Sequence, residues 1–220
     1  MALHKPLITI KQQVYEILRD NICNGTYPPG HQLQETGLSK DLGVSRSPIR
    51  EALRQLVAEG LATDFPNRGV FVKAYTTKDI KDIFDMRILL ESYAFERACA
   101  NITPEIRDTL NSCTQDLRKF HDCGDLRSYI EIDTFLHHTL VTLCGNSLVI
   151  DTYDRVYAMI QRFREYSLKS PKRFNDSLTE HTEIIHNILE GNFKEANRIN
   201  ETHLILAKEA IINYLKGSNG

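Results

Sequence analysis

The stretch Gly43–Leu61, GVSRSPIREALRQLVAEGL, decides the fold of the first third of this chain. Gly43 and Val44 read as a turn. Ser45 stands where a helix N-terminus takes a side-chain oxygen, and Pro48 falls in the first helical turn, where its missing N–H is tolerated. Gly60 supplies the backbone freedom that ends the helix. Between them Ile49, Ala52, Leu53, Leu56 and Val57 recur at helical spacing on one face, while Arg46, Arg50 and Arg54 recur every four residues on another. Three arginines in register ordinarily mark a solvated helix face. The flanking sequence points further.

Upstream, across the glycine turn, Glu35 to Leu42 reads as a second short helix, the order in which a helix-turn-helix lays its second helix in the DNA major groove. Arginine's planar fork matches guanine O6 and N7, or a phosphate, bidentately. Downstream, Thr63 to Phe65 and Val70 to Val72 are short strand candidates around a turn of Pro66, Asn67, Arg68 and Gly69. A hairpin with a basic tip beside a recognition helix is a wing, able to reach phosphates or the minor groove. Before these elements, Ile10, Val14, Leu18 and Ile22 mark an amphipathic helix over 10–24, closed by Gly25 and followed by the loop TYPPGHQL. The expected unit is a winged helix-turn-helix over residues 8–75.

The run from Val14 to Val72 resembles the DNA-binding domain of the GntR family of bacterial transcription regulators. The matching pieces, in order, are PPG with L-x-E just after it, LGVSRSPIREAL, AEGL and NRGVFV. The resemblance implies that Arg46 and Arg50 reach base edges. It also implies that Ser45, Ser47 and Thr36 lie on or near the DNA backbone, with Gly69 at the wing tip. Some members carry an arginine where this chain has Thr36. Arg54 and Arg68 join the DNA-facing set from their positions alone.

The remainder of the chain has a different character. Residues 1–75 hold nine Lys and Arg against seven Asp and Glu, whereas residues 76–220 hold 18 against 22, so the mild basic excess falls where DNA is expected. No apolar run approaches the ~20 residues needed to cross a bilayer, and MALHKPLITI lacks the apolar core of a signal peptide. Five cysteines with no C-x-x-C pair suit buried thiols in a reducing cytoplasm. From Lys78 glycine becomes scarce and helical periodicity runs almost to the end. Six helices are expected, over 78–100, 104–122, 125–144, 147–168, 172–190 and 192–216, with breaks at the intervening Gly and Pro positions. The fold class is mainly α: the winged module with its small β-hairpin, then an all-α antiparallel helical bundle over residues 76–217.

Polar residues interrupt the apolar stripes of this bundle. The third bundle helix runs Leu126, Ile130, Asp133, His137, Leu140, Cys144; the fifth carries His181, and the sixth carries His203. One histidine on an apolar stripe is ordinarily a satisfied core residue. An aspartate and three histidines together are another matter, because burying them without partners costs several kcal/mol each. One divalent cation satisfies all four: Asp133 and His137 at i, i+4 with His181 and His203 form an O/N ligand set. His121, His138 and His186 fall off the stripes and read as surface or rim residues. Arg87 interrupts the stripe of the first bundle helix, where it either grips a ligand carboxylate bidentately or pairs with Glu91 four residues on.

A six-helix domain with D-x-x-x-H, a histidine 44 residues later and another 22 residues beyond is similar to the FCD-type effector-binding domain of the FadR subgroup of GntR regulators. That resemblance implies a divalent transition metal, zinc first with nickel or manganese as alternatives, holding a small carboxylate effector. The implied protein is a cytoplasmic transcription regulator and not an enzyme. It acts as a repressor more often than as an activator, and binds double-stranded operator DNA as a homodimer with half-sites ~34 Å apart. Two other classes were open. A metal-dependent hydrolase lacks the H-E-x-x-H base, and an interaction module would show no salt-dependent duplex binding.

Overall fold

The computed structural model describes residues 9–98 and 101–217; the expected first residue of the winged module, residue 8, and Cys99 lie outside them. The chain divides into two compact units, residues 1–75 and 76–220. Each is described by itself.

In the first unit α1 (Ile10–Cys23) starts on Thr9, whose side chain accepts from the Gln12 N–H. Its buried face, Val14, Tyr15, Leu18 and Ile22, packs with Ile49, Ala52, Leu53 and Leu56 of α3 (Arg46–Ala58) in one core. Between them α2 (Glu35–Leu42) ends on Gly43, which takes φ +65° and turns the chain into α3. Ser45 occupies the N-cap position in extended conformation, but its side chain makes no capping hydrogen bond, contrary to the expectation from sequence. At the other end Gly60 adopts φ +77° and the Leu61 N–H donates to the Leu56 carbonyl at 2.9 Å.

The wing is an antiparallel pair, β1 (Ala62–Phe65) and β2 (Gly69–Val72), in register Ala62 to Val72 and Phe65 to Gly69. The preceding loop does more than connect. Gln32 bridges Phe71, and Leu33 N–H donates to the Val70 carbonyl at 2.8 Å, so part of TYPPGHQL lies along the second strand.

The second unit is all-helical: α4 (Thr77–Ala98), α5 (Pro104–Asp122), α6 (Leu126–Thr142), α7 (Ser147–Ile160), α8 (Arg164–Ser167), α9 (Pro171–Leu189) and α10 (Phe193–Gly217). The Thr103, Asp125, Asn146 and Ser170 side chains cap α5, α6, α7 and α9. The fourth expected helix, 147–168, is interrupted by a 3₁₀ turn over Gln161–Phe163. No glycine or proline marks that break, and the buried residues Tyr153, Tyr157, Ile160, Arg164 and Ser167 keep helical spacing across it. Periodicity alone therefore reads it as one element. α10 packs against α4 and α9, and α6 against α4 and α5, placing α4, α6, α9 and α10 around one interior. Among the described residues no helix is long and apolar enough to cross a membrane.

Candidate functional site

Two sites take shape, one in each unit. In the first, Thr36, Ser45, Arg46, Ser47, Arg50, Arg54, Arg68 and Gly69 are all exposed. Thr36, Arg50, Arg54 and Gly69 line one groove of about 540 Å³ between α2, α3 and the wing. Arg46 and Ser47 open α3, next to the uncapped Ser45 hydroxyl. Arg68 sits over the Phe65 and Phe71 rings, 5.7 and 5.9 Å from their centroids. Arg50 is already engaged: its Nε and Nη2 donate to the two Glu35 oxygens at 2.9 and 2.8 Å. That fork holds the Glu35 carboxyl below its ordinary range. The pair is solvent-exposed, so a stronger anion competes for the arginine with little loss.

In the second unit α6 delivers Asp133 and His137, α9 His181 and α10 His203, all at most 1% exposed. The three imidazoles offer ligand atoms within 4.8 Å of one another. The Nε2 atoms of His137 and His181 are 3.2 Å apart, and Asp133 Oδ1 lies 3.4 and 3.6 Å from them. Four ligands at ~2.1 Å from a tetrahedral cation stand ~3.4 Å from one another, so these spacings are those of a metal's ligand shell.

The far edge of each ring is held as well. His137 Nδ1 lies 2.9 Å from Glu91 Oε2, and His203 Nδ1 lies 2.7 Å from Glu180 Oε2. His181 Nδ1 meets the Tyr129 and Ser177 hydroxyls at 3.1 and 3.3 Å. Facing a carboxylate, an Nδ1 carries the proton, which leaves Nε2 as a bare acceptor. In the chain alone this leaves a conflict at His203 and Asp133: His203 Nε2 and Asp133 Oδ1 are buried with no hydrogen-bond partner, whereas the Nε2 atoms of His137 and His181 share one hydrogen bond. A cation among them removes the conflict, so the residues present fit a divalent metal.

Electrostatics follows from burial. Desolvation alone would raise the Asp133 and Glu91 carboxyls, yet Arg164 beside Asp133 and Arg87 beside Glu91, helped by the histidines, hold both well below the usual range. Burial pushes His181 down to about 3 and His203 well below its ordinary value. In metal-free protein the unfolded chain therefore takes up these protons first. Stability is fully present above pH ~6.5 and falls as the pH drops toward 3, by about 1.4 kcal/mol per pH unit for each such histidine. Denaturant midpoints of chelator-treated protein, measured from pH 7.5 to 4.5, check this; a flat profile contradicts it.

Of its two alternatives Arg87 takes the pairing with Glu91, and its outer nitrogens stay unpaired. Its Nε donates to Glu91 Oε1 at 2.6 Å, while Nη1 and Nη2 are buried without a hydrogen-bond partner. Glu91 also accepts from Asn200 Nδ2 at 2.8 Å, so one carboxylate ties α4 to α6 and α10. Sequence reasoning treated Glu91 only as Arg87's partner and passed over Asn200, Arg164 and Tyr153. Arg164 continues the α7 stripe, three helical turns after Tyr153, and that periodicity was the signal available. As sequence position suggested, His186 is exposed, while His121 and His138 are partly so.

Comparison with known proteins agrees with these features. The model of the gntR family of bacterial regulatory proteins matches residues 10–72, and that of the FCD domain matches residues 82–206. The HTH-type transcriptional regulator YdhC of Bacillus subtilis (strain 168) is 32% identical over 185 residues, 84% of this chain and 82% of its own. The HTH-type transcriptional repressor RspR of Escherichia coli (strain K12) is 26% identical, covering 94% of this chain and 90% of its own. The crystal structure of a GntR transcriptional regulator from Rhodococcus sp. RHA1 superposes with a TM-score of 0.76 at 26% identity, covering 92% of this chain and 97% of that one. These similar proteins are transcription regulators, not enzymes, which removes the hydrolase alternative. With a winged helix-turn-helix ahead of an FCD domain, the chain belongs to the GntR family of bacterial transcription regulators.

Proposed function

We propose that this regulator is a metal-dependent sensor of a small organic acid that represses transcription by binding operator DNA as a homodimer. Residues 8–75 read the DNA and residues 76–217 sense the ligand and dimerise. The observation that carries the sensing half is the buried ring of Asp133, His137, His181 and His203, in which His203 Nε2 and both Asp133 oxygens have no hydrogen-bond partner in the chain. These four residues would hold the cation, zinc or another divalent transition metal. When bound, the cation supplies a Lewis-acid anchor for a carboxylate. The free end of Arg87 orients that carboxylate's molecule, and Glu91 keeps Arg87 and His137 in place.

A ligand alters DNA affinity only through differential binding to two arrangements of the dimer. α4 starts at Thr77, directly after the first unit ends at Tyr75, and carries both Arg87 and Glu91, so a ligand's pull on this helix has a covalent route to the DNA-reading unit. The DNA-facing set is Thr36, Ser45, Arg46, Ser47, Arg50, Arg54, Arg68 and Gly69, with the arginines of α3 at the base edges.

The test uses an operator selected from random duplex DNA, titrated with metal-loaded protein against a panel of small carboxylates. At least one acid shifts the operator midpoint by about 5- to 150-fold, the ordinary range of allosteric coupling. A midpoint that no acid moves contradicts the sensing half and leaves the DNA-reading half standing.

A further inference from the structure

Resting on the reading of the buried ring as a metal-held organic-acid site, we infer that the ligand is a dianion, a compact dicarboxylate whose second carboxylate is gripped by Arg87, Arg164 and Tyr153. The argument begins with a charge count. Among the described residues the buried or nearly buried guanidinia of this interior are Arg87, Arg164 and Arg173, and each has its own carboxylate. Arg87 pairs with Glu91, Arg164 with Asp133, and Arg173 with Glu180 at 2.8 Å. The chain by itself is therefore neutral here.

A divalent cation held by three neutral imidazoles and Asp133 adds two positive charges, because the charge of Asp133 is already matched by Arg164. Two uncompensated charges in a dry interior are costly. A monoanion removes half of that excess, and a dianion removes it all.

Hydrogen-bonding capacity leads to the same place. Arg87 Nη1 and Nη2, Arg164 Nε and the Tyr153 hydroxyl are buried with no hydrogen-bond partner. These groups come from α4, α7 and α8, yet they share one neighbourhood: the Arg87 guanidinium lies 5.7 Å from the centroid of the Tyr157 ring, which stacks on Tyr153 at 5.8 Å, Arg164 pairs with Asp133, and the three act on one another electrostatically. Buried orphan donors are rare in folded proteins, and several converging ones are the mark of a ligand. One guanidinium fork, a further guanidinium N–H and a phenol are donors a carboxylate accepts from.

The donors border the cation's place from two directions. Arg87 touches Glu91, and Glu91 touches Nδ1 of His137. Arg164 pairs with Asp133, itself one of the four ligands. A compact molecule with two charged ends would meet both the cation and these guanidinia, and inorganic phosphate, with its charge on one centre, is the comparison that distinguishes the two.

Calorimetry and thermal shift on full-length, metal-loaded protein test the inference with matched probes. Dicarboxylic acids of three to six carbons, with and without a 2-hydroxyl, are each compared with their own monoamide, and inorganic phosphate forms a separate arm. At least one dicarboxylate is expected to bind about 10- to 100-fold more tightly than its monoamide, the loss that follows from withdrawing charge from a buried hydrogen-bonded pair.

Tyr153→Phe removes one donor without exposing a buried charge, and should weaken the dicarboxylate about 3- to 10-fold while leaving metal content unchanged. The paired change Arg87→Gln with Glu91→Gln keeps the interior neutral and should abolish the dicarboxylate preference. Equal binding of acid and monoamide overturns the dianion and leaves the organic-acid reading intact, whereas tighter binding of phosphate than of any dicarboxylate overturns the dicarboxylate, and with it the organic-acid reading, in favour of an inorganic anion. Failure of every carboxylate to bind metal-loaded protein overturns both.

Discussion

Arg46→Ala and Arg50→Ala each lower affinity for the selected operator roughly 5- to 150-fold, and flatten discrimination at the base they read far more than they weaken binding to unrelated duplex. Three observations set this expectation. Both side chains are exposed on α3, whose opposite face is locked into the core by Ile49, Leu53 and Leu56. Arg50 lines the groove shared with Thr36, Arg54 and Gly69. Its fork is already oriented by Glu35, so DNA exchanges one bidentate partner for another instead of ordering a free side chain. Arg68→Ala, at the wing tip, should behave differently, with a uniform loss across sequences and a shallower salt dependence, because a phosphate contact carries no sequence information. Electrophoretic or anisotropy titrations at two salt concentrations separate the two patterns. Unchanged discrimination in both α3 variants would remove these arginines from base reading.

His137→Ala should weaken metal binding by more than about 100-fold and leave operator binding deaf to any carboxylate, while basal operator affinity stays near wild type. The loss of one of four ligands exceeds the 10- to 100-fold typical of losing an outer partner. The substitution is interpretable because Glu91 is not orphaned by it: Arg87 and Asn200 still satisfy its two oxygens. A variant that remains folded, loses metal and keeps its carboxylate response would separate sensing from the cation.

The two halves differ in how far sequence exposes them. In the winged module the deciding signals are local. Gly43 and Gly60 adopt positive φ where a turn and a helix stop were read, and each strand of the hairpin begins one residue before its expected start and ends where expected. Ser45 was the local exception, an N-cap whose hydroxyl bonds nothing in the helix. In the helical unit the placement of Asp133, His137, His181 and His203 was legible, because each falls on an apolar stripe and a stripe has only one direction in which to be buried. What supports them was not. Glu91 meeting His137, Glu180 meeting His203 and Tyr129 meeting His181 are contacts between helices 23 to 52 residues apart in the chain, and helical periodicity says which face is buried, not which residue lies opposite. Arg164 was hidden for a related reason: a cation on a stripe reads as an interruption until Asp133 is seen beside it.

The most direct test of the metal-centred account is elemental analysis of protein purified without a histidine tag or chelator, with His137→Ala and His203→Ala measured alongside. The account predicts about one transition metal per wild-type chain and much less in both variants, as a site with four protein ligands requires. Wild-type protein that holds no metal after incubation with zinc, nickel and manganese would contradict it, and would leave three buried histidines, with the unpaired Nε2 of His203, as parts of a pocket organised by Arg87 alone.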